Sequence, residues 1–330
     1  MAEIKELLKT ALIFPLREKV FNLNNKMGRY KNVLWLIGDG RSGTTWIASV
    51  INADRKAREL FEPYHPLVLE NFDLPPYLYS STDTNNDAVL NAYNDIFSGH
   101  LAHRRIDFDN RKLFYKGLIV KDIFINLSAS ILYKNFPFVK PVLLIRNPFA
   151  VVYSKLQKKH WFWPSDLDVY LKNSSLLNRL NVDIISLIEH AKQRNNFVEI
   201  QFIHWALGNC ILLEDFSANN LHLIFYENIK TSPDKELAKL RAYLGSNFDF
   251  VAKSTNKAVY NKSSRVVGKN KDRTDHKNTY DYWEQLYSNE EFELGVNVLK
   301  VFGWFEAYLP NGEPDPNFFK SLGFNIKNAL

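Results

Sequence analysis

The sequence predicts an α/β fold in which a central parallel β-sheet is flanked by helices on both faces. Three observations carry that prediction. Short apolar, β-branched runs recur along the chain, and stretches of helical length separate them. Twice, at residues 33–46 and 142–154, an apolar run passes through a turn straight into a helical pattern. Strands that alternate with helices pair in parallel, because each helix carries the chain back across the sheet. With 330 residues, 46% of them hydrophobic, the chain can bury one large core.

Residues 1–30 read as a helical extension. Lys5, Lys9, Arg17 and Lys19 are scattered among its apolar residues and Pro15 interrupts it. No apolar run approaches the ~18 residues of a membrane span, so the extension is expected to pack on the domain, with peripheral membrane contact as the other option. The first strand is Val33–Ile37, followed by a weaker one at Ala57–Phe61, then Leu118–Val120, Val142–Ile145 and Leu221–Phe225. Helices are expected at Thr45–Asn52, Asp87–Ser98, Asn126–Tyr133, Pro148–Lys158, Leu167–Arg194, Phe197–Phe216, Pro233–Leu244 and Asn289–Phe302. Pro148 suits a first helical turn, where its missing N–H would be unpaired anyway. The domain is expected over 31–310, with 311–330 as a tail.

Composition narrows the function classes. A single cysteine, Cys210, rules out an intrachain disulfide and a cysteine-based zinc site. It reads as a buried thiol, and a reducing, cytoplasmic location is the expectation. The eight histidines form neither H-x-x-x-H nor H-E-x-x-H, and no metal is expected. Eight basic and two acidic residues lie between Lys253 and Lys277, which equals the chain's whole net charge of +6. Such a run is a solvated face, a nucleic-acid patch or a segment that closes over a polyanion. No nucleic-acid reader motif accompanies it, so nucleic acid is not the expected partner.

The segment from Val33 to Trp46, VLWLIGDGRSGTTW, is the most informative stretch. A buried strand enters a glycine turn and leaves as a helix. Gly38, Gly40 and Gly43 let successive N–H groups point inward, and the helix dipole adds to them, which makes an anion site. Gly38 and Gly43 have the P-loop spacing, but Thr44 stands where a nucleoside triphosphatase carries lysine. Arg41 supplies the positive charge from within the loop. Val142 to Ser154 repeats the pattern. Arg146 ends a strand at the ligand edge of the sheet, and Ser154 follows eight residues later on the helix.

These motifs resemble the PAPS-dependent sulfotransferases (PAPS is 3′-phosphoadenosine 5′-phosphosulfate). The match runs from about residue 32 to 308. Arg41-Ser42-Gly43-Thr44-Thr45-Trp46 looks like that family's 5′-phosphosulfate loop, and arginine at position 41 is the style of the carbohydrate and tyrosylprotein enzymes. Arg146 and Ser154 resemble the 3′-phosphate site, and Tyr226-Glu227-Asn228 the strand end whose tyrosine meets the adenine. The resemblance implies a P-loop NTPase-like sulfotransferase fold, PAPS as donor and adenosine 3′,5′-bisphosphate as product. Gly40 through Trp46 would hold the 5′ end, and Trp46 would lie beside the base. The acceptor would be a small molecule or a glycan.

The catalytic base is less direct. Cytosolic members place a histidine shortly after a strand lysine; here Lys121 is followed by Asp122 and Ile123. In carbohydrate and tyrosylprotein enzymes a glutamate fills the role, and Glu62 lies twenty-one residues after Arg41 within Glu62-Pro-Tyr-His65. Glu62 is the first candidate, provided burial raises its pKa. His65 is the second and Asp122 the third. The resemblance puts Lys121 near the sulfonate. Arg265 and Lys269 occupy the place of the family's basic closing segment. The main rival from another class is a P-loop small-molecule kinase using ATP.

Overall fold

The computed structural model describes residues 14–69, 74–261 and 279–326. Arg265 and Lys269 therefore lie outside the described residues. Five strands form one parallel sheet: β1 (Val33–Gly38), β2 (Ala57–Phe61), β3 (Gly117–Asp122), β4 (Val139–Ile145) and β5 (His222–Phe225). Their order is β2-β3-β1-β4-β5, so the chain crosses from the central β1 to the edge strand β2, returns to fill β3, and then builds outward through β4 and β5. Every neighbouring pair is parallel; Leu36 of β1 stands between Lys121 of β3 and Val142 of β4. All five expected strands form, including the weaker one at 57–61.

Strand alternation divides the core in two. Val33, Trp35, Ile37, Val120 and Leu143 face the helices Asp87–Phe97 and Phe197–Asp215. Leu34, Leu36, Ile119, Val142 and Leu144 face the helices Thr44–Ile51 and Pro233–Leu244. Because both faces are covered, β1 reads as an unbroken apolar run with every residue buried. The same alternation sends Lys121 and Asp122 to opposite faces of β3.

Residues 167–194 depart from the expected single helix. They form Asp168–Leu171, Ser174–Leu177 and Val182–Arg194. The breaks fall at asparagines that cap the next helix: Asn173 accepts the Leu176 N–H and Asn181 the Ile184 N–H. Their short side chains satisfy free helix-start donors and so favour an end over a continuation. The N-terminal segment packs on the domain through the helix Phe14–Lys26. Phe21 is buried there, and Asn24 bonds the carbonyl of Leu113 and the N–H of Tyr115. The helix Pro316–Ser321 places Phe319 against Phe225 and Trp304. No helix among the described residues is long and apolar enough to cross a membrane.

Candidate active site

The carboxyl ends of β1, β3 and β4 bring the expected residues to one edge of the sheet. After β1 the chain turns sharply. Arg41 has φ 72° and Gly43 φ 95°, and Gly43 then starts the helix Thr44–Ile51 with no side-chain cap. The N–H groups of that first turn have no side-chain cap, and a helix start of this kind suits an anion. Gly43 has no substitute, because a Cβ there would stand 2.7 Å from the Tyr226 ring. At Gly40 a Cβ would stand 2.7 Å from Trp163. Both glycines therefore allow close approach of an aromatic wall as well as a turn.

The two phosphate motifs are tied directly. Arg41 Nε donates to Ser154 Oγ at 2.9 Å, and Arg146 Nη1 donates to the Arg41 carbonyl at 3.0 Å. Helix Pro148–Leu156 fixes Ser154, and its start is capped by Asn147, which accepts from the N–H groups of Phe149 and Ala150. Arg41 also lies 5.0 Å over Trp161, and Arg146 4.4 Å over Tyr226. Burial, and then the neighbouring Arg146, push the Arg41 pKa down. Like charges held this close favour an anion between them. Two donors have no partner among the described residues although both atoms are buried: Ser42 Oγ and Arg146 Nε. Buried donors are nearly always satisfied, so these fit a ligand that carries acceptor oxygens. Trp46 and Tyr226 meet edge to face at 5.5 Å, and Trp46 Nε1 donates to the Tyr260 carbonyl at 3.0 Å.

The second group assembles at the ends of β2 and β3. Glu62 follows β2 in the left-handed region, with φ 51°, and its N–H donates to the Lys121 carbonyl at 2.7 Å. Two candidate site residues, Arg41 and Glu62, thus hold a left-handed backbone that is unfavourable for any residue with a Cβ, strain that gathers at functional sites. Lys121 is fully buried and donates to Glu62 Oε1 at 2.7 Å and to Thr45 Oγ1 at 3.2 Å. Arg105 donates to Glu62 Oε2 at 2.9 Å.

One expectation is overturned here. Burial would raise the Glu62 pKa, but Lys121 and then Arg105 outweigh it and hold the carboxyl below its ordinary value. His65 lies beside Glu62 with its ring against Phe124 and Phe162. Burial, with Arg105 adding to it, lowers its pKa to about 4. Its Nδ1 accepts the Leu67 N–H at 3.1 Å, which leaves the ring proton on Nε2. In that tautomer His65 donates and does not take a proton. Asp122 lies on the opposite face of β3, fully buried, where it accepts from Trp35 Nε1 and the Tyr93 hydroxyl at 2.9 Å each. It is set apart from the Lys121–Glu62 group. Cys210 is half-buried, not fully buried, and its thiol donates to Glu214.

Sequence reasoning missed two features of this site. Arg105 lies forty-three residues from Glu62 and no spacing marks it. Lys155 donates to both oxygens of Asp39, at 2.8 and 2.7 Å, and the Tyr77 hydroxyl donates to the same carboxylate at 3.2 Å. A buried carboxylate must be neutralised, and Asp39 between Gly38 and Gly40 carried that signal in the sequence.

Solved structures to which the chain is similar include a sulfotransferase from Alicyclobacillus acidocaldarius, at 13% identity and TM-score 0.37, covering 68% of this chain and 85% of that one. The sulfotransferase domain of the Synechococcus PCC 7002 olefin synthase matches at 12% and 0.39, covering 84% and 96%. Mouse sulfotransferase SULT7A1 complexed with PAP matches at 14% and 0.36, covering 84% and 89%. No curated protein matches the chain significantly in sequence. The sulfotransferase domain family matches residues 31–292, most of the chain, and the protein belongs to that family.

Proposed function

We propose that this sulfotransferase takes its sulfonyl group from PAPS and places it on a hydroxyl of a carbohydrate or glycolipid, with Glu62 as the general base. The observation that carries the donor assignment is the pairing of two anion sites. Arg146 reaches from the end of β4 to the carbonyl of Arg41, Arg41 reaches Ser154, and the Ser42 Oγ and Arg146 Nε donors have no partner among the described residues. A nucleotide with phosphates on both its 3′ and 5′ oxygens uses two such sites at once. Gly40 through Thr45 would hold the 5′ end, Arg146 and Ser154 the 3′-phosphate, and Trp46 and Tyr226 the adenine. Arg265 and Lys269 complete the 3′ side in this reading.

In the reaction the acceptor oxygen bonds to sulfur while the bond from sulfur to the 5′-phosphate oxygen breaks. Glu62 takes the acceptor's proton, and Lys121 and Arg41 face the negative charge left on the phosphate. His65 Nε2–H is free of the Leu67 contact and suits the task of orienting the acceptor. The exposed Phe162 lies against His65, and Trp161 stacks on Trp163; flat apolar rings of this kind suit the faces of a sugar.

Calorimetry tests the donor. Adenosine 3′,5′-bisphosphate should bind without magnesium and more tightly than ADP, and Arg146→Ala should abolish the preference. Equal binding of ADP, or an unchanged mutant, would overturn the assignment in favour of an ATP-using kinase. An acceptor screen with Glu62→Gln as control then tests the base and the acceptor class.

A further inference from the structure

We infer that Arg105 is a positioning residue for the general base: it holds one oxygen of Glu62 in place while Lys121 gives up the other to meet the donor. The inference rests on the reading of Glu62 as base and PAPS as donor.

The Glu62 carboxylate is divided between two cations of different kinds. Oε1 belongs to Lys121 and Oε2 to Arg105. Lys121 also touches Thr45 Oγ1, in the first turn after the phosphate loop. Its ammonium therefore stands between the loop and Glu62, and an anion arriving in the loop competes with Glu62 for it. An ammonium on a flexible stem can change partners by rotating, whereas a guanidinium is a rigid fork. Arg105 comes from the other side. Its guanidinium lies 5.4 Å over the Phe61 ring, on the edge strand β2, and its side chain is only 26% exposed. Its Nη1 is buried and without a partner among the described residues, so the fork is oriented by Glu62 and by packing.

With both cations in place Glu62 is a poor base, as its lowered pKa shows. When Lys121 turns to the donor, Oε1 alone loses its partner. That oxygen is the one on the loop side, where an acceptor must stand to reach the sulfur. Oε2 stays tied, so the carboxylate cannot swing out of line as its basicity rises. The acceptor proton then goes to Oε1. The arrangement makes the base competent only after the donor has arrived.

The test is a ¹³C NMR titration of the Glu62 carboxyl carbon in the full chain, assigned with Glu62→Gln, with and without adenosine 3′,5′-bisphosphate. Saturation should raise the Glu62 midpoint by about one pH unit or more, the scale on which one neighbouring charge acts. In Lys121→Met the midpoint should be raised already and the ligand should add little. In Arg105→Gln the ligand-dependent rise should survive, while the carboxyl line broadens as the group loses its second anchor. Arg105→Lys should restore part of the wild-type line, and it also serves if the glutamine variant does not fold. Ligand that binds by calorimetry without moving the midpoint would overturn the exchange. So would an equal rise in Lys121→Met, which would trace the effect to the ligand's own charge. An unaltered line in Arg105→Gln would overturn the positioning role. Failure of the nucleotide to bind at all, or turnover retained by Glu62→Gln, would instead strike the donor or base assignment.

Discussion

The two ends of the site solve opposite electrostatic problems. At the β1–β4 end, Arg41 and Arg146 are held close together, and two buried donors nearby have no partner among the described residues. At the β2–β3 end, Lys121 and Arg105 close on both oxygens of Glu62. The first end gathers positive charge and suits an arriving anion. The second is already neutralised, and under the proposed mechanism it must be opened before its carboxylate can work. The comparison teaches that the same side-chain types, paired differently, present opposite electrostatics.

The largest effects should come from breaking each end separately. Glu62→Gln should lower turnover by about 10²–10⁴, the usual worth of a general base, with nucleotide affinity by calorimetry essentially unchanged. A matching loss of affinity would mean that the two ends are one unit. Lys155→Met removes the partner of Asp39, a buried carboxylate of the loop itself. Breaking such a pair destabilises by about 3–5 kcal/mol, which thermal or urea unfolding would measure. The double variant with Asp39→Asn should regain part of it. If Lys155→Met unfolds no earlier than wild type, the ion pair is not what anchors the loop. Arg146→Ala should weaken adenosine 3′,5′-bisphosphate by roughly tenfold to a hundredfold, since hydrogen bonds to charged groups contribute about 1.5–3 kcal/mol. The same substitution should leave the Glu62 titration in the free protein unmoved if the ends are independent.

The smallest effect is a pH dependence at His65. Unfolded, this histidine binds a proton below about pH 6.5; folded, it does so only near 4 because burial opposes its charge. Its contribution to stability is therefore full above pH 6.5 and lost as the pH falls towards 4. Relative to His65→Asn, the wild type should lose stability across that window. A parallel pair of stability curves would show that His65 titrates alike in the folded and unfolded chain, against a folded value near 4.

Much of the architecture was legible because it follows from local pattern. The five apolar runs became five strands, and the glycine turn before Thr44 became a tight turn into an uncapped helix start, since burial on both faces and left-handed backbone each leave a mark in the residue types. The interruptions at Asn173 and Asn181 were also written in the sequence as capping residues, but the apolar periodicity around them masked the signal. Arg105 left no mark at all.

Sequence alone determined the sheet, the loop with its Arg41, the strand-end Arg146 and the carboxylate at position 62, because each is a property of a few consecutive residues. Only the tertiary structure decided the state of that carboxylate. Burial by itself would have raised the Glu62 pKa, but two cations from β3 and from a loop forty-three residues away outweigh it. Charge–charge energy depends on distance and surroundings, and neither is defined until the chain has folded.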